Sequence, residues 1–123
     1  MDTFSIREYN IDKQREGASS AADKEVLQGY VVDVACLRKW PRSKVLERAI
    51  AHTRQCALEG HCVESGYVLV DHTGYPMRLG SEATAMVVAA LLGTPREREI
   101  RMIAERQQQD GRMKTIHVRL SGS

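Results

Sequence analysis

The chain has 123 residues, of which 42% are hydrophobic and 28% are charged, and this composition is typical of one globular domain. It carries 18 Lys and Arg residues against 16 Asp and Glu residues, so its net charge is +2. This balance excludes a strongly basic, histone-like nucleic-acid binder and an acidic disordered tail. No apolar run approaches the ~20 residues that a membrane helix needs, so we expect no membrane insertion.

The N-terminal segment differs from the rest of the chain. Residues 12–25 are polar and small and show no sustained apolar period. We predict a flexible N-terminal arm over residues 1–25 and a single domain over residues 26–121. The first eight residues contain no apolar signal region, so we expect a cytoplasmic protein, or an exported one from which a signal peptide has been removed.

The first half of the domain predicts a strand, a helix and two further strands. Residues 27–34 are rich in β-branched side chains, which favours a strand. Residues 44–59 place apolar side chains at helical spacing, and Gly60 stands where that helix would end. Strands at residues 67–71 and 75–79 follow, and the proline in the second confines it to an edge or a strand start.

The second half begins with a nearly all-apolar helix over residues 82–92, which we expect Ser81 to cap and the core to bury. Apolar and charged side chains then alternate over residues 100–107 and 113–120, with Asp110-Gly111 between them. Because Asp-Gly is a strong signal for a tight turn between strands, we predict a hairpin there. Helix propensity over residues 96–109 is the alternative, and we predict at most one helical turn within it, at residues 95–98.

Five strands with a helix between the third and the fourth is the order of an OB-fold, a small and partly open barrel. We therefore predict an α+β fold that is mainly β with two helices. The architecture that we predict is an OB-like five-stranded barrel with a helix inserted in the first long connection.

The candidate site consists of Cys36, His52, Cys56 and Cys62. Clustered thiols in a reducing compartment more often bind metal or carry out redox chemistry than form a disulfide scaffold. Because His52 and Cys56 are four residues apart on the predicted helix, they would share one face. Cys36 follows the first strand and Cys62 follows the helix, so the four residues are predicted to converge at one end of the barrel.

Three thiolates and one imidazole would fill a tetrahedral zinc shell and leave no position for water, which predicts a structural metal site. Cu(I) is the alternative ion, since soft thiolates suit it equally. Two interpretations without metal stay open: disulfide or redox thiols, and cysteines that are only small core residues. Further candidates near the cysteines are Asp33, His61 and Trp40.

Three stretches carry a family resemblance: residues 29–36 (Gly-Tyr-Val-Val-Asp-Val-Ala-Cys), residues 52–57 (His-Thr-Arg-Gln-Cys-Ala), and Cys62 with residues 65–70. They resemble a family of small uncharacterised bacterial proteins, many of them exported. Its members share a Gly-x-x-x-Asp-x-x-Cys strand, a His-x3-Cys-Ala helix and a Gly-containing hairpin. The resemblance covers residues 28–120, implies an OB-like fold and singles out Asp33 with the four residues above. It implies no established activity, and the polar N-terminus departs from the exported members.

Other functions are less favoured. The basic segment of residues 38–44 surrounds Trp40 and would suit single-stranded nucleic acid, but such binders usually expose several aromatic side chains. A Cys56–His52 nucleophilic pair lacks any sign of an oxyanion hole, and no catalytic motif is present, so an enzyme is the weaker interpretation. The leading hypothesis is a small binding or accessory module with a metal ion and an unknown protein or small-molecule partner. The alternatives are a thiol-redox or disulfide-stabilised interaction domain, and a nucleic-acid-binding OB module.

Overall fold

The computed structural model describes residues 24–121, and the predicted arm lies outside this range except for its last two residues, which belong to the first strand. The strands are β1 (Lys24–Asp33), β2 (Tyr67–Val70), β3 (Pro76–Arg78), β4 (Arg101–Gln109) and β5 (Arg112–Leu120). The α-helices are α1 (Val34–Leu37), α2 (Val45–Ala51), α3 (Arg54–Ala57), α4 (Gly60–Ser65) and α5 (Thr84–Gly93). Short 3-10 turns at Arg42–Lys44 and Ser81–Ala83 precede α2 and α5. The predicted α+β class is confirmed.

All five strands belong to one antiparallel sheet in the order β3-β2-β1-β4-β5. The central strand β1 changes partner along its length: Lys24 to Tyr30 pair with β4, and Tyr30 to Asp33 pair with β2. Within residues 24–121, β3 and β5 do not pair, so the sheet is not closed and the barrel stays a prediction. In the same range, no helix has the length and apolar character needed to cross a bilayer.

The predicted hairpin is confirmed. Strands β4 and β5 pair from Met102 opposite Leu120 to Gln109 opposite Arg112, with one register shift between Glu105 and Arg106. Asp110 and Gly111 between them both have positive φ, 52° and 83°. Positive φ at both central residues is the requirement of the type I′ turn, whose twist matches that of the flanking strands.

Helix α5 is buried against the sheet as predicted, with Val87 and Leu91 fully inaccessible to solvent. Its start was predicted wrongly. Ser81 makes no capping hydrogen bond, and the chain enters the helix through a 3-10 turn that follows Gly80, at φ +87°. The helix proper begins only at Thr84.

The single helix predicted over residues 44–59 is wrong, because the chain breaks it at His52 and Thr53. Both residues are extended, with ψ of 138° and 153°. The segment before β4 binds the backbone groups that the break leaves free: Glu97 O accepts from Arg54 N–H at 2.9 Å, and Glu99 N–H donates to Ile50 O at 3.1 Å. Gly60, predicted to end the helix, instead begins α4, which also contains Cys62.

Candidate metal centre

Asp33 is the buried centre of the candidate site. It ends β1, its side chain is fully inaccessible, and it caps α1 by accepting a 2.8 Å hydrogen bond from Cys36 N–H at Oδ2. Its other oxygen, Oδ1, lies 2.9 Å from His52 Nε2. Both oxygens are therefore held by partners from this chain, and the orientation of the carboxylate is fixed.

The charge of Asp33 is stabilised in spite of its burial. Burial alone would raise its pKa, but the hydrogen bonds from His52, from Cys36 N–H and from the thiols of Cys62 and Cys36 outweigh it and lower the pKa from 3.8 to about 2. An ionised carboxylate only accepts hydrogen bonds, so His52 donates through Nε2–H.

His52 owes its position to the break in the predicted helix. It is the residue that follows α2, and its extended backbone turns the chain away from the helix axis. The imidazole packs edge-on against Trp40, with 5.6 Å between ring centroids. Trp40 is itself half-buried against the core.

The three cysteines share one local pattern, in which each is the third residue of a short helix. Cys36, Cys56 and Cys62 hold that position in α1, α3 and α4. The residues that precede these helices are Asp33, Thr53 and Glu59. The first two cap their helices through side-chain oxygens, and the Thr53 hydroxyl accepts from Cys56 N–H at 3.1 Å.

Hydrogen bonds between the short helices and the sheet hold the three cysteine segments together. Ser65 Oγ, on α4, accepts from Ala35 N–H of α1 at 3.0 Å and donates to Cys62 O at 2.7 Å. The buried hydroxyl of Tyr67, on β2, donates to Ala57 O at the end of α3 at 2.6 Å.

The result is a compact group of four potential ligands, here called the inner cluster: Asp33, Cys36, Cys56 and Cys62. One ligand atom from each lies within 4.8 Å of the other three. Cys36 Sγ and Cys56 Sγ are 3.5 Å apart. His52, predicted to be the fourth ligand, is not part of this group and reaches it through its hydrogen bond to Asp33.

The thiols of Cys36 and Cys62 are not activated as nucleophiles. Burial, the Cys56 thiol and the negative Asp33 all raise the pKa of Cys36. Burial and Asp33 raise the pKa of Cys62 to about 11. Cys36 and Cys62 therefore keep their protons at neutral pH. A nucleophilic or exchange-active thiol needs the opposite shift, whereas a metal ion displaces such protons as it binds.

A second, exposed group adjoins the inner cluster. Glu59, His61 and Cys62 also bring ligand atoms within 4.8 Å of one another, and His61 Nε2 lies 3.5 Å from Cys62 Sγ. Sequence reasoning named His61 but missed Glu59 and gave Asp33 only a secondary place. The signal that would have found both is the spacing of a polar residue three positions before each cysteine.

No known protein family, no curated protein and no solved structure matches the chain. The geometry of these residues is therefore the basis of the functional proposal that follows.

Proposed function

We propose that this protein is a small metal-binding module that holds a soft ion in the inner cluster, with Zn²⁺ as the leading candidate and Cu(I) as the alternative. The observation that carries the proposal is the convergence of four ligand atoms, from three separate helices and the end of β1, within 4.8 Å. In a tetrahedral zinc site with bonds of about 2.0–2.3 Å, ligand atoms lie roughly 3.3–3.8 Å apart. Small side-chain rotations would therefore suffice to bring the four ligand atoms from within 4.8 Å of one another to these distances.

Each residue has a distinct task in this proposal. The three thiols lose their protons and bind as thiolates, and Asp33, already ionised, supplies the oxygen ligand. His52 is a positioning residue that holds Asp33 and spreads part of the excess negative charge of the ligand set. A filled four-ligand shell leaves no position for water, so the ion would serve structure, storage or transfer rather than hydrolysis.

Metal analysis tests the proposal directly. Protein purified without chelator should contain about one ion per chain, and a strong chelator should lower its melting temperature. Cys56→Ser should abolish both effects. His72→Ala, which changes an exposed histidine of the β2–β3 turn, is the matched control and should keep them. The proposal would be refuted if the protein held no ion after incubation with Zn²⁺ or Cu(I) and if chelator did not change its melting temperature.

A second candidate function rests on the 3.5 Å separation of Cys36 Sγ and Cys56 Sγ. Removal of two electrons and two protons by an external disulfide would join these sulfurs, and the protein would be a disulfide-stabilised or thiol-redox domain. Reductant, and not chelator, would then lower its melting temperature, and a thiol titration would find only Cys62 free. Under this alternative, His52→Ala would leave the response to reductant unchanged.

For the fold, we propose that the open sheet is an OB-like barrel that side-chain bonds help to close. Thr115 of β5 reaches the chain beyond β3: its hydroxyl donates to Leu79 O at 2.7 Å, and its N–H donates to a Glu82 carboxylate oxygen at 2.9 Å. The helix between β3 and β4 has the position expected of an OB-fold. An experimental structure in which β3 and β5 lie far apart would contradict this part of the proposal.

A further inference from the structure

Cys62 belongs to two groups of potential ligands at once. Its thiol is one of the four in the inner cluster, and it also lies with Glu59 and His61 in the exposed group, here called the outer site. Cys62 is 1% exposed, whereas Glu59 and His61 both lie in solvent. One buried sulfur therefore links a surface pair of ligands to the interior set.

The start of α4 fixes this arrangement. Cys62 N–H donates to Glu59 O at 2.9 Å, which holds the first turn, and the His61 imidazole lies 3.5 Å from the Cys62 sulfur. Asp33 and Thr53 use their side chains to cap their helices, but Glu59 makes no capping hydrogen bond. A side chain at this position usually caps the helix. The Glu59 carboxylate does not, and it lies near the Cys62 thiol instead.

We propose that the outer site captures a divalent ion from solvent and passes it to the inner cluster through the shared sulfur of Cys62; this inference rests on the proposed metal-binding function. An ion in water carries a hydration shell that the buried thiols cannot strip in one step. A carboxylate and an imidazole at the surface can replace part of that shell first. The thiolates then draw Zn²⁺ inward, because they are softer ligands and three of them act together.

The transfer is an exchange of ligands and involves no oxidation or reduction. When the ion binds at the outer site, the Cys62 thiol forms a bond to it and releases its proton to solvent. The bonds from the ion to Glu59 and His61 then break as Cys36, Cys56 and Asp33 bind. The two remaining thiols release their protons to solvent in that step.

Rapid mixing with Co²⁺ provides the test, because thiolate ligation of Co²⁺ produces a charge-transfer absorption band that reports arrival at the inner cluster. The variants are Glu59→Gln and His61→Gln, singly and together. We expect the double variant to load Co²⁺ about tenfold more slowly than the wild type. Its final absorbance, its stoichiometry of one ion and its equilibrium affinity should be unchanged. Because the equilibrium is unchanged, extraction by a chelator at low concentration should slow by the same factor.

Two variants serve as controls, Glu64→Gln and His72→Ala. Both change exposed residues of the same types outside the outer site, and Glu64 lies on the same helix. They should load at the wild-type rate.

The other possible results of the Co²⁺ experiment would count against the inference, as follows. Equal loading rates in all variants would overturn the inference and leave the proposed function intact. A loss of affinity or final absorbance in the double variant would also overturn it, because Glu59 and His61 would then be ligands of the final site. Two ions per chain at the end point would do the same, since the outer site would then retain its own ion. A wild-type protein that never develops the band would overturn this inference, and one that also holds neither Zn²⁺ nor Cu(I) would refute the proposed function with it.

Discussion

Asp33 and His52 form a buried pair, with 2.9 Å between Oδ1 and Nε2 and side chains that are 0% and 6% exposed. The residues come from the end of β1 and the end of α2. Their contact joins the central strand of the sheet to the connection that carries Cys36, Cys56 and Cys62. The pair therefore connects the stability of the fold to the geometry of the candidate metal centre.

Asp33→Asn tests this connection. The amide keeps the shape of the side chain but turns one acceptor into a donor, which faces either His52 Nε2–H or Cys36 N–H. We expect a loss of about 1.5–3 kcal/mol in the free energy of unfolding, measured with urea on metal-free protein. In a double-mutant cycle with His52→Ala, the two losses should be far from additive. Additive losses would show that the two side chains do not stabilise each other.

Glu82 should make stability depend on acid. The hydrogen bond from Thr115 N–H is the main cause that lowers the pKa of Glu82 below 4.5. A carboxyl whose pKa is lowered by folding contributes stability that is fully present above its unfolded pKa and is lost as the pH falls through the folded value. We expect Glu82→Gln to flatten the fall in stability below pH 4.5, measured by urea unfolding at stepped pH. Glu64→Gln, which changes an exposed residue of α4, is the control variant.

Among the glycines of residues 24–121, Gly29 is the one where an added methyl group would approach backbone atoms most closely. A Cβ built on Gly29 would lie 2.5 Å from Val70 O and 2.7 Å from Val70 C, both backbone atoms of the neighbouring strand. Gly29→Ala should therefore force β1 and β2 apart and lower the free energy of unfolding by about 1–3 kcal/mol. At Gly60 a Cβ meets nothing within 4 Å, so Gly60→Ala is the matched control and should be neutral or slightly stabilising. Equal effects at both positions would contradict the close approach of the two strands.

Gly111→Val tests the turn of the β4–β5 hairpin. Gly111 has φ +83° and a Cβ there would touch nothing, so any loss reflects the backbone alone. We expect a loss of about 1–2 kcal/mol for valine. Asparagine, which tolerates positive φ, should cost clearly less. A valine variant as stable as the wild type would argue against the type I′ turn.

The hairpin and the buried helix could be predicted because their signals are local. Asp110-Gly111 specifies a turn by its own backbone preferences, and the apolar run around Val87 and Leu91 can only be buried. The break at His52 could not be predicted in the same way. Apolar spacing continues through that region, and the break depends on backbone bonds from Arg54 and Ile50 to a segment more than forty residues away. Tertiary contacts there override the local preference for helix.

For the candidate site, the sequence predicted the three cysteines but not the residue that lies beside them. Cys36, Cys56 and Cys62 come together, yet the residue beside them is Asp33, with His52 behind it. The prediction chose histidine because it assumed one continuous helix. The Asp-x-x-Cys spacing was visible in the sequence, and the preference of Asp for the position before a helix would have placed its carboxylate next to Cys36.

The three short helices that carry the cysteines contain four, four and six residues. Helices of this length are not stable in water by themselves, so the connection between β1 and β2 has little stability of its own. It should open as a separate cooperative unit while the sheet stays folded, and its amides should exchange with solvent sooner than those of β1 and β4. An ion that joins all three helices would close this unit, so that metal content would act first on the lifetime of this region and, because the region packs on the sheet, then on the melting of the whole domain.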